Sequence, residues 1–149
     1  MSYIVPGLPP NLKQIIEDFQ LSEGAEKVEL LLEYSERLPP LPEHWQENRS
    51  SMESVEECMT PVFVAAELDD EGLQFFFDVP AESPTVRGFA SLMAEGLNGT
   101  KPEDVLRIPN DFYLSMGLER VLTMQRLNGF AAILAHLKRL AAELLTTSE

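Results

Sequence analysis

The sequence predicts an α+β domain: a small three-stranded antiparallel sheet covered by helices on one side. Three observations lead there. Two runs rich in β-branched and aromatic residues, 61–68 and 73–79, flank the turn Asp69-Asp70-Glu71-Gly72 and read as a hairpin. A two-stranded hairpin is marginal alone, and a short stretch at 52–55 supplies a third strand. Apolar residues recur at helical spacing on both sides of this segment. With 149 residues and 44% hydrophobic content the chain can bury a core, and one domain over 1–149, its core about 10–145, is expected.

The elements follow in order. After a proline-rich start, Asn11 with Gln14 three residues on suggests a capping box, and Ile15, Ile16 and Phe19 form the apolar face of a short helix. Ser22 is expected to cap a second helix carrying Val28, Leu31, Leu32, Ser35 and Leu38 on one face. Leu38-Pro39-Pro40-Leu41-Pro42 stops it, because proline removes a backbone donor and clashes with the preceding turn. Residues 43–52 read as an irregular polar connection before the sheet. Ser83-Pro84 then opens a helix with Val86, Phe89, Ala90, Met93, Ala94 and Leu97 inward, ended by Asn98-Gly99. Thr100 and Glu103 suggest another capping box for a short helix through about Leu106, and 111–116 one more helical turn ended by Gly117. Thr123 is expected to cap a last helix with Phe130, Leu134, Leu137, Ala141 and Leu144 at helical spacing.

Composition excludes several functions. A formal net charge of -14 argues against nucleic acid, which needs a basic face. No run approaches the roughly 18 apolar residues of a membrane span, and 1–6 lack a basic stretch followed by an apolar one, so a cytoplasmic location is expected. The charge is polarised: 120–142 holds no acid but contains Arg120, Arg126, Lys138 and Arg139, while the segment up to Glu57 is strongly acidic. A single cysteine excludes an internal disulfide and a multi-cysteine zinc site, and two histidines make metal chemistry improbable. No phosphate-binding glycine loop or dinucleotide fingerprint is present.

Chemistry then rests on Cys58, in Val55-Glu56-Glu57-Cys58-Met59-Thr60-Pro61. Pro61 and the clustered acids place it in a loop or at a strand edge, where function concentrates. A lone cysteine is most often a small buried hydrophobe, and neighbouring Glu56 and Glu57 raise a thiol pKa. A reactive Cys58 therefore needs activation from elsewhere. Arg126 is the candidate: it falls in the first turn of the last helix, where the helix dipole disfavours a cation. His136 falls on the polar side of that helix, as a surface histidine would. Phe75-Phe76-Phe77 reads as sheet packing and Trp45 as an anchor for its loop. Two readings stay open on these residues: a cysteine-nucleophile enzyme pairing Cys58 with His136, and an adaptor domain with an inert cysteine.

Four blocks in order resemble the SufE family of sulfur acceptors. They are Arg37-Leu38-Pro39-Pro40-Leu41; Val55-Glu56-Glu57-Cys58-Met59-Thr60-Pro61-Val62; Thr85-Val86-Arg87-Gly88-Phe89 through Leu97-Asn98-Gly99 and then Thr100-Lys101-Pro102-Glu103-Asp104-Val105; and Gly117-Leu118 through Leu122-Thr123-Met124-Gln125-Arg126-Leu127-Asn128-Gly129-Phe130. The resemblance covers roughly residues 10 to 142. This chain has Glu57 where many members have glycine, Met124 where many have proline, and Pro80-Ala81-Glu82-Ser83-Pro84 where many have an Asp-Ser-Asp segment.

The resemblance implies a SufE/IscU-like fold and a role beside a cysteine desulfurase of the SufS type. The partner, not this chain, is expected to carry pyridoxal phosphate; no cofactor, metal, nucleic acid or membrane is expected here. Cys58 would take the sulfur as a persulfide, stimulate the desulfurase and pass the sulfur to an iron–sulfur scaffold complex. Arg126 matches the family's arginine and would steady the thiolate or persulfide, or contact the partner. Further expectations concern placement. Residues 55–60 should lie beside the first turn of the last helix. Cys58 should be shielded in an apolar pocket lined by the hairpin and the last helices. The loop should swing outward for transfer, more easily in a Glu57→Gly variant.

Overall fold

The computed structural model describes residues 7–147; the stretch 1–6, read above for its composition, lies outside them. Helix α1 (Pro10–Leu21) and α2 (Ala25–Ser35) are followed by a short α3 (Glu43–Glu47) and a 3-10 turn (Arg49–Ser51). Strands β1 (Glu53–Ser54), β2 (Phe63–Asp69) and β3 (Gly72–Asp78) come next, then α4 (Pro84–Leu97) and α5 (Pro102–Leu106). Two 3-10 turns (Phe112–Met116 and Leu118–Arg120) lead into α6 (Met124–Thr147).

The strands form one antiparallel sheet in the order β1-β2-β3, as the sequence predicts. Alternation decides which face each residue takes. Leu73, Phe75 and Phe77 of β3 and Val64 of β2 enter the main core with Phe19, Phe89, Phe112 and Phe130. The stacked Phe89 and Phe130 rings, 4.1 Å apart, lock α4 to α6. The opposite face is also partly covered, against the expectation of helices on one side alone. Leu41, Met52 and Ala65 are buried there with Trp45, Phe63 and Phe76 against them. Trp45 anchors this patch as expected, its indole N–H donating to Glu67 Oε2 at 2.7 Å. Its segment, expected to be irregular, is α3, entered from Pro42, whose φ of -58° suits a helix start. The outer edge of β3 is closed by the segment after α4: Leu73 N–H donates to Thr100 O and Phe75 N–H to Asn98 Oδ1.

Several helix starts differ from the expected capping boxes. Prolines set them instead: Pro10 and Pro102 occupy the first helical position, as Pro84 does where it was expected, and a missing N–H costs nothing there. Ser22 therefore closes α1, donating to Asp18 O, and Gly24, at φ 52°, precedes α2. Thr100 likewise donates back to Leu97 O. On α2 the buried face is Lys27, Leu31 and Tyr34, rotated from the expected stripe. Thr123 does cap as expected, accepting the Arg126 N–H at 3.3 Å.

Candidate functional site

Cys58 stands in the connection between β1 and β2. Strand pairing ends at Ser54 opposite Phe63, and Val55 N–H donates to Val62 O at 2.9 Å, so the intervening residues project as a closed loop. Val55 and Val62, 2% and 1% exposed, root the loop in the core. The Cys58 N–H donates to Val55 O at 3.2 Å, turning the backbone back on itself. Further on, Thr60 Oγ1 and Ser83 Oγ lie 2.9 Å apart and tie the loop to the start of α4. Gln125 of α6 contacts the sulfur of Met59, whose side chain is otherwise exposed.

The thiol points inward, half-buried, toward the first turns of α6. Cys58 S–H donates to Gly129 O, with sulfur and oxygen 3.6 Å apart. The sulfur packs closely over Gly129: a Cβ built there would lie 3.4 Å from it. Burial pushes the Cys58 thiol pKa up, and the Glu57 carboxylate adds to it. At neutral pH the resting protein therefore holds a thiol rather than a thiolate, the state least open to oxidation. Ultraviolet thiolate absorbance should rise only above the ordinary cysteine range, and at lower pH in Glu57→Gln than in the wild type. Because folding raises this pKa, the protonated thiol stabilises the fold fully below the unfolded-state value. That contribution is lost as pH rises through the folded one.

A cavity of about 470 Å³ opens beside the thiol. Its walls include Cys58, Met59, Glu82, Val86, Arg126 and Gly129. The loop and the first turn of α6 are thus neighbours, and Cys58 and Arg126 face one space, as expected. The expected apolar lining is corrected: charged and polar groups share the walls, and they come from the loop, the start of α4 and the start of α6 rather than from the β2–β3 hairpin. Arg126 is exposed, and its Nη1 donates to Thr85 Oγ1 of α4, which aims the guanidinium along the cavity rim.

His136 is not the surface histidine expected. Its side chain is 19% exposed, with Nδ1 against Glu53 Oε2 and Nε2 2.9 Å from Glu57 Oε1. Arg139 meets both Glu53 oxygens and also pairs with Glu143. The acid-free stretch 120–142 and the acidic N-terminal segment thereby meet inside this molecule. Both imidazole nitrogens face carboxylates while the thiol donates to a backbone carbonyl, so the ring is not placed as a base hydrogen-bonded to Cys58.

Fold and site together define an α+β domain with one sheltered thiol on a loop rooted in its core. The chain belongs to the SufE family: the family model described as "Fe-S metabolism associated domain" matches residues 13–141. An uncharacterized SufE-like protein of Mycobacterium tuberculosis is 42% identical over 133 residues, spanning 89% of this chain and 92% of the relative. The cysteine desulfuration protein SufE of Plasmodium vivax is 26% identical over 146 residues, 95% of this chain and 57% of that protein. The solution structure of a hypothetical protein from Thermus thermophilus superposes with a TM-score of 0.83 at 40% identity, covering 93% of this chain and 98% of that one. Family membership places the chain in iron–sulfur metabolism. No helix among the described residues is long and apolar enough to cross a membrane.

Proposed function

We propose that this protein is a cytoplasmic sulfur acceptor, taking sulfur onto Cys58 from a cysteine desulfurase of the SufS type and passing it to an iron–sulfur scaffold complex. The observation that carries the reading is the sheltered Cys58 thiol sharing a cavity with Arg126, in a chain of the SufE family. The desulfurase carries pyridoxal phosphate and presents the sulfur of free cysteine as a persulfide on its own cysteine. The Cys58 thiolate attacks the outer sulfur of that persulfide. A sulfur–sulfur bond forms to Cys58, the partner's internal sulfur–sulfur bond breaks, and the partner's cysteine leaves as a thiolate. Removing the sulfur frees the desulfurase for another turnover, which is how the acceptor stimulates it.

In the resting state the thiol faces Gly129 O, so in-line attack requires the loop to turn outward on docking. The core-bound Val55 and Val62 limit that motion to the residues between them. Arg126 lines the same cavity, which supports a role for its charge in steadying the thiolate or persulfide once the loop has turned, or in contacting the partner. The test is incubation with a cysteine desulfurase and isotope-labelled cysteine, followed by intact and peptide mass analysis. Cys58 should gain one labelled sulfur, removable by a thiol reductant. A chain that stays unmodified while the desulfurase itself becomes persulfidated overturns the proposal.

A further inference from the structure

The imidazole of His136 sits between two carboxylates from different parts of the chain. Glu53 of β1 lies on its Nδ1 side and Glu57, the residue before Cys58, on its Nε2 side. The two are held unequally. Glu53 is 12% exposed and fixed from behind by Arg139 of α6, which Glu143 also pairs. Glu57 is 62% exposed and stands on the loop. We infer that His136 is a positioning residue for Cys58: as an imidazolium it bridges Glu53 to Glu57 and thereby holds the loop with the thiol turned onto Gly129.

The proton count gives the device its direction. A neutral imidazole has one N–H, so two ionised carboxylates can both accept from the ring only when it carries two. On losing one proton the ring keeps the N–H facing Glu53, the carboxylate that is buried and fixed. Nε2 then turns a lone pair toward the Glu57 carboxylate, and the tie to the loop is lost. Toward acid the contact is durable: the hydrogen bond from His136, and next the Glu57 backbone, hold the Glu57 carboxyl below its usual range. A carboxylate with a lowered pKa keeps its contact above the unfolded-state value and loses it only as pH falls through the folded one. The bridge therefore spans the interval between Glu57 protonation and imidazole deprotonation. Loop release and thiolate formation both proceed as pH rises, so the sheltered state is sheltered twice. Thr60–Ser83 and the Val55–Val62 pairing remain, so the bridge tunes the loop rather than fixing it outright.

The effect belongs to Glu57, and its importance for sulfur uptake rests on the function proposed above. The test does not. Alkylation of Cys58 by iodoacetamide, a neutral reagent, is followed as pH is raised. Each rate is divided by the thiolate fraction from ultraviolet absorbance. In the wild type this thiolate-specific rate should rise about 2- to 5-fold as the imidazole titrates, the scale of one exposed ion pair. Glu57→Gln should stay slow and flat, because its amide accepts from the ring N–H or donates to the bare nitrogen. His136→Phe and Glu57→Ala should both be fast and flat. Should His136→Phe fail to fold, the exposed-side Glu57→Ala removes the same contact. A flat wild-type profile, or a Glu57→Ala rate equal to the slow wild-type one, overturns the inference. A wild-type protein that shows these rate changes yet takes up no sulfur counts against the acceptor reading alone.

Discussion

Gly88→Ala is expected to destabilise the protein by about 3 kcal/mol or more, at the upper end of what overpacking costs. Gly88 is buried in α4 where that helix crosses α2, and a Cβ there would lie 2.1 Å from Leu31 O and 3.0 Å from Leu31 C. Those are backbone atoms, so no rotamer change relieves the clash and the two helices must separate. The contact is cross-braced by Arg87, which donates to Ser35 O at 3.1 Å and to Val79 O at 2.7 Å, and separation strains both bonds. Alanine's better helix propensity returns only about 1 kcal/mol. Gly96 provides the contrast. A Cβ there meets Leu12 Cδ1 at 3.1 Å and Leu12 Cα at 3.2 Å, milder contacts that a slight rotamer change and a slight parting of α1 from α4 relieve. Gly96→Ala should therefore cost roughly 1 kcal/mol. Denaturant midpoints at unchanged m-value measure both, and a Gly88→Ala protein as stable as the wild type would show the α2–α4 crossing to be looser than described. The site should feel the change too, since Ser83 and Val86 at the start of α4 form part of the cavity wall.

What the sequence shows and hides follows from how local each cause is. The β2–β3 hairpin is legible because the β-branched and aromatic runs and the turn between them are both written in neighbouring residues, and Asp69 pairs with Gly72 across that turn. The cap expected at Ser22 and the capping box expected at Thr100 fail because a hydroxyl can also donate backward to the carbonyl three or four residues before it, and here it does. Helix α3 escapes detection since five residues cannot display a period. The neighbourhood of Cys58 and Arg126 is reached through the family resemblance, not through spacing, because the hairpin, α4 and α5 all lie between them in the chain. The place of His136 is hidden for the same reason in stronger form: Glu57 lies 79 residues away from it in sequence. The available signal is the acid-free stretch 120–142 set against an acidic N-terminal segment. Charge polarity of that kind fits a partner surface as well as an internal pairing, and the fold assigns His136 and Arg139 to the second.

Cys58→Ser should abolish sulfur uptake while leaving the fold almost untouched, which separates the thiol's chemistry from its packing. Serine is slightly smaller and its hydroxyl can donate to Gly129 O as the thiol does, so the half-buried loop keeps its inward contact. The stability change should stay within about 1 kcal/mol, and the β1–β2 pairing and the Thr60–Ser83 tie should survive. Chemistry has no such substitute. A serine hydroxyl remains protonated near neutral pH and does not take up sulfane sulfur, so incubation with desulfurase and labelled cysteine should leave the mass of the variant unchanged. Stimulation should vanish with it if turnover is limited by removing sulfur from the desulfurase. Docking surfaces remain intact in the variant, so an excess of Cys58→Ser protein should instead compete with the wild type and slow its sulfur uptake. A serine variant that folds, docks and still speeds the desulfurase to the wild-type extent would sink the acceptor reading, because the stimulation would then come from contact alone and the sheltered thiol would have no part in it.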